Sequence, residues 1–215
     1  MKETIRQIFH EDNRVNNDAL TLRLIKGIIF MLIFVIYIGE SSVLETLSLK
    51  AWIYFIVLAF LIYMLKYFNI NLFSFKKLTA KDISIIVIVT IVVKLLDYLF
   101  SYLYAGSTLN QENIESSIQG ISILNFAIFF ALLPALLEEI VFRGIILRVL
   151  FKGHLFIGLI VSSVLFGFVH EYSNWIEFLP YFYSGLFYGL AYLITRRIEV
   201  VILIHFLGNF SAFWI

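Results

Sequence analysis

The chain contains no cysteine. Disulfides, cysteine metal sites and thiol nucleophiles are therefore excluded, and the redox compartment cannot be read from cysteine usage. Proline occurs only twice, and charged residues make up only 14% of the 215 positions. No stretch is polar enough for a separate soluble domain. Internal repeats, low-complexity tracts, a glycine-rich phosphate loop and a basic aromatic patch are all missing, so nothing equips the chain to bind nucleotides or nucleic acid. Serine chemistry lacks its setting too. Ser162, Ser163 and Ser184 lie in apolar runs without a G-x-S-x-G or rhomboid-like context, where small residues permit close helix packing. His10 and His154 fall in a tail and a loop and carry no assigned role.

What is present is apolar bulk: 61% hydrophobic residues, with 23 Phe and 12 Tyr. Crossing a bilayer takes about 20 apolar residues, since roughly 30 Å of hydrocarbon is spanned at about 1.5 Å per residue. Seven segments qualify, at 23–39, 51–67, 83–105, 121–150, 155–172, 178–195 and 198–214, with room for an eighth. The predicted fold is an all-α, polytopic transmembrane helical bundle. Residues 1–20 are polar and too mixed in charge for a cleaved signal, so they read as a cytoplasmic lead-in.

Lys and Arg are retained on the cytoplasmic side of membranes. Of the 16 basic residues, all but Lys50 and Lys94 lie before or at the start of the first span or on alternate connections. Lys2, Arg6, Arg14, Arg23 and Lys26 come first; Lys66, Lys76, Lys77 and Lys81 follow the second span. Arg143, Arg148 and Lys152 lie around the end of the fourth, and Arg196 and Arg197 separate the sixth and seventh. A cytoplasmic N-terminus is expected, with the C-terminus outside. Heavy use of Ile, Phe, Lys, Asn and Tyr points to an AT-rich, bacterial genome and hence a bacterial cell membrane. Lys94 and Asp97, three apart on one helix, are expected to neutralise each other.

An ionisable side chain inside a membrane costs about 2.5 to 3.5 kcal/mol on insertion scales, so it pairs, faces a wet cavity or serves a function. The last third of the chain carries several: Glu138, Glu139 and Arg143 on the fourth span, His170 on the fifth, and His205 with Asn209 on the seventh. Glu139 and Arg143 are one helical turn apart and can pair. Glu138, turned about 100° away, has no such partner. If the fourth and fifth spans turn near Gly153, Glu138 and His170 lie level, roughly 20 to 25 Å from the turn. By the same reckoning His205 lies roughly 12 Å beyond Arg197. A single buried His or Asn in a membrane helix is commonly interhelical glue. Four at compatible depth suggest a site.

EEIVFR at 138–143, FGFVH at 166–170 and HFLGN at 205–209 match, in order, the E-E-x-x-x-R, F-x-x-x-H and H-x-x-x-N motifs of the CAAX protease and bacteriocin-processing family. The chain resembles these intramembrane proteases, also called the Abi family, over about residues 121–215. That segment would be the catalytic core, and residues 21–120 variable N-terminal membrane helices. The resemblance implies that Glu138 is the general base and that His170 orients the attacking water. His205 and Asn209 would offer N–H donors to the oxyanion. Glu139 and Arg143 would form the supporting pair, with Phe166 packing one turn before His170. Glu138, His170 and His205 also make a two-histidine, one-carboxylate set that could hold a catalytic Zn²⁺. Glu171, in HEYSN, lacks the second histidine of a zincin motif and reads as a solvated helix-end residue. The substrate implied is a membrane-associated peptide or protein, with roles in peptide maturation or bacteriocin immunity. Two other readings are a non-enzymatic immunity or regulatory membrane protein and a small proton-coupled transporter, the latter disfavoured by the absence of an internal repeat.

Overall fold

The computed structural model describes residues 7–41, 44–104 and 106–214, which are helical with connecting turns and loops. Lys2 and Arg6, part of the charge pattern, lie outside the described residues. The helices are α1 (Leu20–Ser41), α2 (Leu49–Tyr67), α3 (Ala80–Tyr104), α4 (Leu109–Ser117), α5 (Ile123–Leu150), α6 (Leu155–Phe168), α7 (Phe178–Thr195) and α8 (Ile198–Phe210). A 3₁₀ turn, Ser211–Trp214, extends α8. The seven apolar segments are all helical, with shifted ends.

Four of them, α1, α2, α3 and α5, are long and apolar enough to cross a membrane alone. At about 1.5 Å per residue the 14 residues of α6 cover only about 21 Å, short of the hydrocarbon thickness. α4 is the addition that hydropathy misses, because its sequence LNQENIESS is polar; Thr108 caps it by accepting the Gln111 amide at 3.2 Å.

α6 was expected to run to residue 172 but stops at Phe168. The Phe166 carbonyl, which a continuing helix would bond to the residue-170 amide, instead meets the His170 ring Nδ1 at 2.7 Å. His170 therefore stands just past the helix, in the 169–177 connection. α5 bends its own register. Pro134 has no amide hydrogen, and the Leu133 amide reaches Ile128 O, a five-residue step. Wide π turns over Phe126–Leu132 and Ile140–Leu150 flank the α segment Leu133–Glu139, which ends on the two glutamates.

α5 is the central strut, buried without interruption from Leu137 through Val149 apart from a partly covered Glu138. α1, α6 and α8 pack around it. The outer faces of α1 to α3 leave Trp52, Ile56, Leu95 and Tyr102 exposed, a surface that suits lipid. α6 and α7 approach closely because Gly185 has no side chain; a Cβ there would lie 3.0 Å from Ser163 Cα. The Ser162 and Ser163 hydroxyls bond back to Leu159 O at 3.2 and 2.7 Å, a packing role rather than a chemical one.

The basic connections gather at one end of the bundle. There Arg148 Nη2 donates to Asp12 Oδ1 at 2.5 Å and to Glu11 Oε1 at 3.1 Å, and Arg196 Nη2 to the Ile8 and His10 carbonyls at 2.8 and 2.6 Å. Arg197 Nη1 meets Asp82 Oδ2 at 2.9 Å. Lys94 and Asp97 do pair, at 3.3 Å, and Asp97 also accepts from Tyr183 OH at 2.7 Å. The opposite end is organised by Glu177, only 2% exposed. Its carboxylate accepts from the Leu109 amide at 3.0 Å, the Ser173 amide at 3.0 Å and hydroxyl at 2.5 Å, and Tyr104 OH at 2.6 Å. Thr108 Oγ1 lies 2.9 Å from Tyr181 OH, and exposed Glu171 accepts from Asn113. These contacts fix α4 across the end of the bundle.

The Leu109 amide first, then the Ser173 and Tyr104 hydroxyls, hold the Glu177 carboxyl down at about 2, against an ordinary 4.5. A lowered folded pKa means that the stabilisation is complete above about 4.5 and is lost as pH falls toward about 2. Protection factors for amide exchange at Leu109 and Ser173 in detergent, taken relative to the intrinsic rate at each pH, should be high at neutral pH and fall only in that acidic window. Glu177→Gln should lower them already at pH 7; unchanged protection in the variant would remove Glu177 as the anchor of α4.

Candidate active site

The last turn of the α segment in α5 ends on two carboxylates with different surroundings. Glu139 and Arg143, both fully buried, pair at 3.1 Å between Oε1 and Nη1. Arg143 Nη2 donates to Gly185 O of α7 at 2.9 Å. Its guanidinium carbon lies 4.5 Å from the Phe166 ring centre and 5.5 Å from that of Tyr188, so aromatic faces take up the rest of the cation. The same Glu139 oxygen meets His205 Nδ1 at 2.9 Å. One carboxylate thus ties α5 to α8, and its arginine ties α5 to α7.

This arrangement settles the tautomer that a neutral His205 would adopt. With its proton on Nδ1, donated to Glu139, the ring presents the Nε2 lone pair outward. That lone pair is 3.9 Å from Glu138 Oε2, too far for a direct hydrogen bond and suited to a water-bridged contact. The Glu138 side chain is 15% exposed, and its Oε2 has no hydrogen-bond partner among the described residues.

His170 is held from two sides. Phe166 O engages Nδ1, and the ring stacks on Tyr181 with centroids 4.2 Å apart. Nε2 is then its free nitrogen. Phe166 is the hub beneath, with its ring 4.8 Å from His170, 5.7 Å from His205 and 5.2 Å from Phe142. The side chain of Asn209, one turn beyond His205, makes no hydrogen bond among the described residues, although its carbonyl accepts from the Ser211 amide. Glu138, His170, His205, Asn209 and Phe166 all border one cavity of about 560 Å³, while Glu139 and Arg143 sit behind it. Residues of α4 and its leading turn, including Thr108, Gln111 and Ile114, line the side toward the bundle end.

A Zn²⁺ site would need its donors gathered about 2 Å from one point. Among the described residues no group of three His, Asp or Glu side chains is arranged to hold a metal ion. The set Glu138, His170 and His205 borders one space but does not close on a cation. Three features of the site were missed from sequence: α4, the stacking Tyr181, and Tyr188, whose ring lies 5.0 Å from His205. Tyr188 shares a helical face with Gly185 at i+3, a spacing that could have marked it.

Residues 120–211 match the family model for type II CAAX prenyl endopeptidase Rce1-like proteins. The membrane-embedded CAAX protease MroQ of Staphylococcus aureus is 36% identical over 115 residues, covering 50% of this chain and 45% of MroQ. The putative membrane peptidase YdiL of Bacillus subtilis is 34% identical over 101 residues, covering 46% of this chain and 40% of YdiL. The chain therefore matches less than half the length of either relative. No solved structure matches it significantly.

The two glutamates should differ in what they contribute to stability. Arg143→Ala strands Glu139 as an uncompensated buried charge and should cost about 3 to 5 kcal/mol, read from denaturant unfolding in detergent. Glu138→Gln removes no hydrogen bond within the protein and should cost less than about 1 kcal/mol. Equal losses would contradict the separation of a supporting pair from a free carboxylate.

Proposed function

We propose, from the premise that residues 120–211 belong to the Rce1-like CAAX protease family, that the chain is an intramembrane endopeptidase in which Glu138 activates the attacking water. The observation that carries the reading is a free carboxylate oxygen, Glu138 Oε2, beside two imidazoles whose Nδ1 atoms are already engaged. Both rings can then turn Nε2 to the same reaction space. Glu139 Oε2 also lacks a partner, but Glu139 Oε1 bonds to both Arg143 and His205, whereas neither oxygen of Glu138 makes a hydrogen bond among the described residues.

In the proposed reaction Glu138 takes one proton from a water molecule. A histidine Nε2 accepts a hydrogen bond from the remaining O–H, which stays on the oxygen, and directs the oxygen lone pair at the substrate carbonyl. Hydroxide adds to the carbonyl carbon, and the C=O electron pair moves to oxygen, where the Asn209 amide donates a hydrogen bond. Collapse breaks the C–N bond, and Glu138 returns its proton to the leaving amine. His205, with its proton committed to Glu139, acts on the water rather than as an oxyanion donor. That role differs from the one implied by the motif resemblance alone.

Residues 121–215 would form the catalytic core, and the helices of 21–120 its membrane jacket. The substrate would be a membrane-associated peptide or protein, in bacterial peptide maturation or immunity to a bacteriocin. The end that gathers Arg148, Arg196 and Arg197 would face the cytoplasm together with the N-terminus. The likeness to MroQ, described as a CAAX protease, supports the reaction class.

Purified protein in detergent should cleave members of a fluorogenic peptide library. Glu138→Gln, His170→Ala and His205→Ala should each lower the rate about 10²- to 10⁴-fold, the range of general acid–base contributions. Chelators should leave the wild-type rate unchanged. Cleavage that survives all three substitutions would reject the site; loss on chelation with recovery on added Zn²⁺ would reject the metal-free chemistry.

A further inference from the structure

We propose that the Tyr188 hydroxyl is a catalytic hydrogen-bond donor to the oxyanion, acting beside Asn209; this rests on the hydrolytic reading above. Tyr188 is only 4% exposed yet borders the cavity. Its hydroxyl makes no hydrogen bond among the described residues. Buried tyrosine hydroxyls ordinarily find a partner, as its neighbours on α7 do: Tyr181 OH lies 2.9 Å from Thr108 Oγ1, and Tyr183 donates to Asp97 at 2.7 Å. A buried donor kept without a protein partner at a cavity wall is available to a ligand.

Its location is defined by Gly208. A Cβ on that residue would lie 3.1 Å from the Tyr188 oxygen and within 4 Å of nothing else, so the missing side chain makes room for this hydroxyl. Gly208 immediately precedes Asn209, and both border the cavity. The phenol oxygen and the Asn209 residue are therefore neighbours along α8. On the other side the Tyr188 ring lies 5.0 Å from the His205 ring.

The chemistry calls for such a donor. Oxyanion sites commonly use two preorganised hydrogen bonds. With His205 Nδ1 engaged by Glu139, the Tyr188 hydroxyl adds a side-chain donor beside Asn209 on the cavity wall. When hydroxide adds to the carbonyl carbon, the electron pair arriving on oxygen is met by the Tyr188 O–H and the Asn209 N–H. Neither proton transfers. As the carbonyl re-forms, both hydrogen bonds weaken and the amine leaves with the proton from Glu138.

Steady-state cleavage of one peptide from the library by wild type, Tyr188→Phe, Glu138→Gln and Tyr192→Phe tests this. Tyr192, one turn along the same helix, is as buried as Tyr188 but does not line the cavity, which makes it the control for loss of a buried phenol hydroxyl. Tyr188→Phe should lower kcat about 10²-fold with KM within about twofold, the unchanged KM certifying a folded site. It should weaken a tetrahedral phosphinate analogue of the same peptide by a similar factor, and Tyr192→Phe should change neither. A Tyr188→Phe enzyme of full kcat, or one impaired only through KM, overturns the proposal while an inactive Glu138→Gln leaves the hydrolytic reading standing. An active Glu138→Gln overturns that reading itself.

Discussion

The Glu139 carboxylate, shared at Oε1 between Arg143 and His205, is the contact on which the rest of the site depends. A charge fully removed from water survives only when paired and hydrogen-bonded, so changing Glu139 or Arg143 alone leaves a buried charge uncompensated. The consequence is geometric. Arg143 reaches the Gly185 carbonyl, and His205 is turned so that Nε2 faces outward, which joins α5, α7 and α8 at one depth. Glu138 makes no hydrogen bond among the described residues and borders the cavity. Adjacent glutamates in one motif thus differ in their surroundings: one is held between two helices, the other faces the open space.

The surrounding architecture follows from keeping such a site wet inside a hydrophobic bundle. α1 to α3 present apolar faces outward, and the inner side of α3, with Lys94 and Asp97, lines the cavity together with α5, α7 and α8. At one end the N-terminal segment covers Arg148, almost fully buried, with Glu11 and Asp12. At the other, Glu177 holds α4 against the cavity by accepting from the Leu109 amide and Tyr104.

The spans and the chemistry were legible for different reasons. Hydropathy located all seven apolar helices because lipid-facing and buried positions alike require carbon. The three motifs singled out Glu138, His170, His205 and Asn209, polar residues conspicuous in an apolar chain, and all four border one cavity. α4 was not legible: its residues are polar, and it is fixed by capping at Thr108 and by Glu177, which is 68 residues away from its Leu109 partner. The end of α6 was misplaced because a side chain, the His170 ring, took a backbone acceptor that periodicity cannot see. Tyr188 was hidden among 12 tyrosines, distinguished only by a hydroxyl without a partner next to Gly208. The tautomer of His205, which decides whether it can donate to an oxyanion, depends on a contact 66 positions distant.

The central claim is that a carboxylate-activated water, and no protein nucleophile, attacks the peptide bond inside this cavity. Rapid-quench mass spectrometry of a single turnover in ¹⁸O-labelled water tests it directly. The account predicts one heavy oxygen in the newly formed carboxyl group and a chain of unchanged mass at every time point. A transient adduct of the acyl fragment on the chain would contradict it.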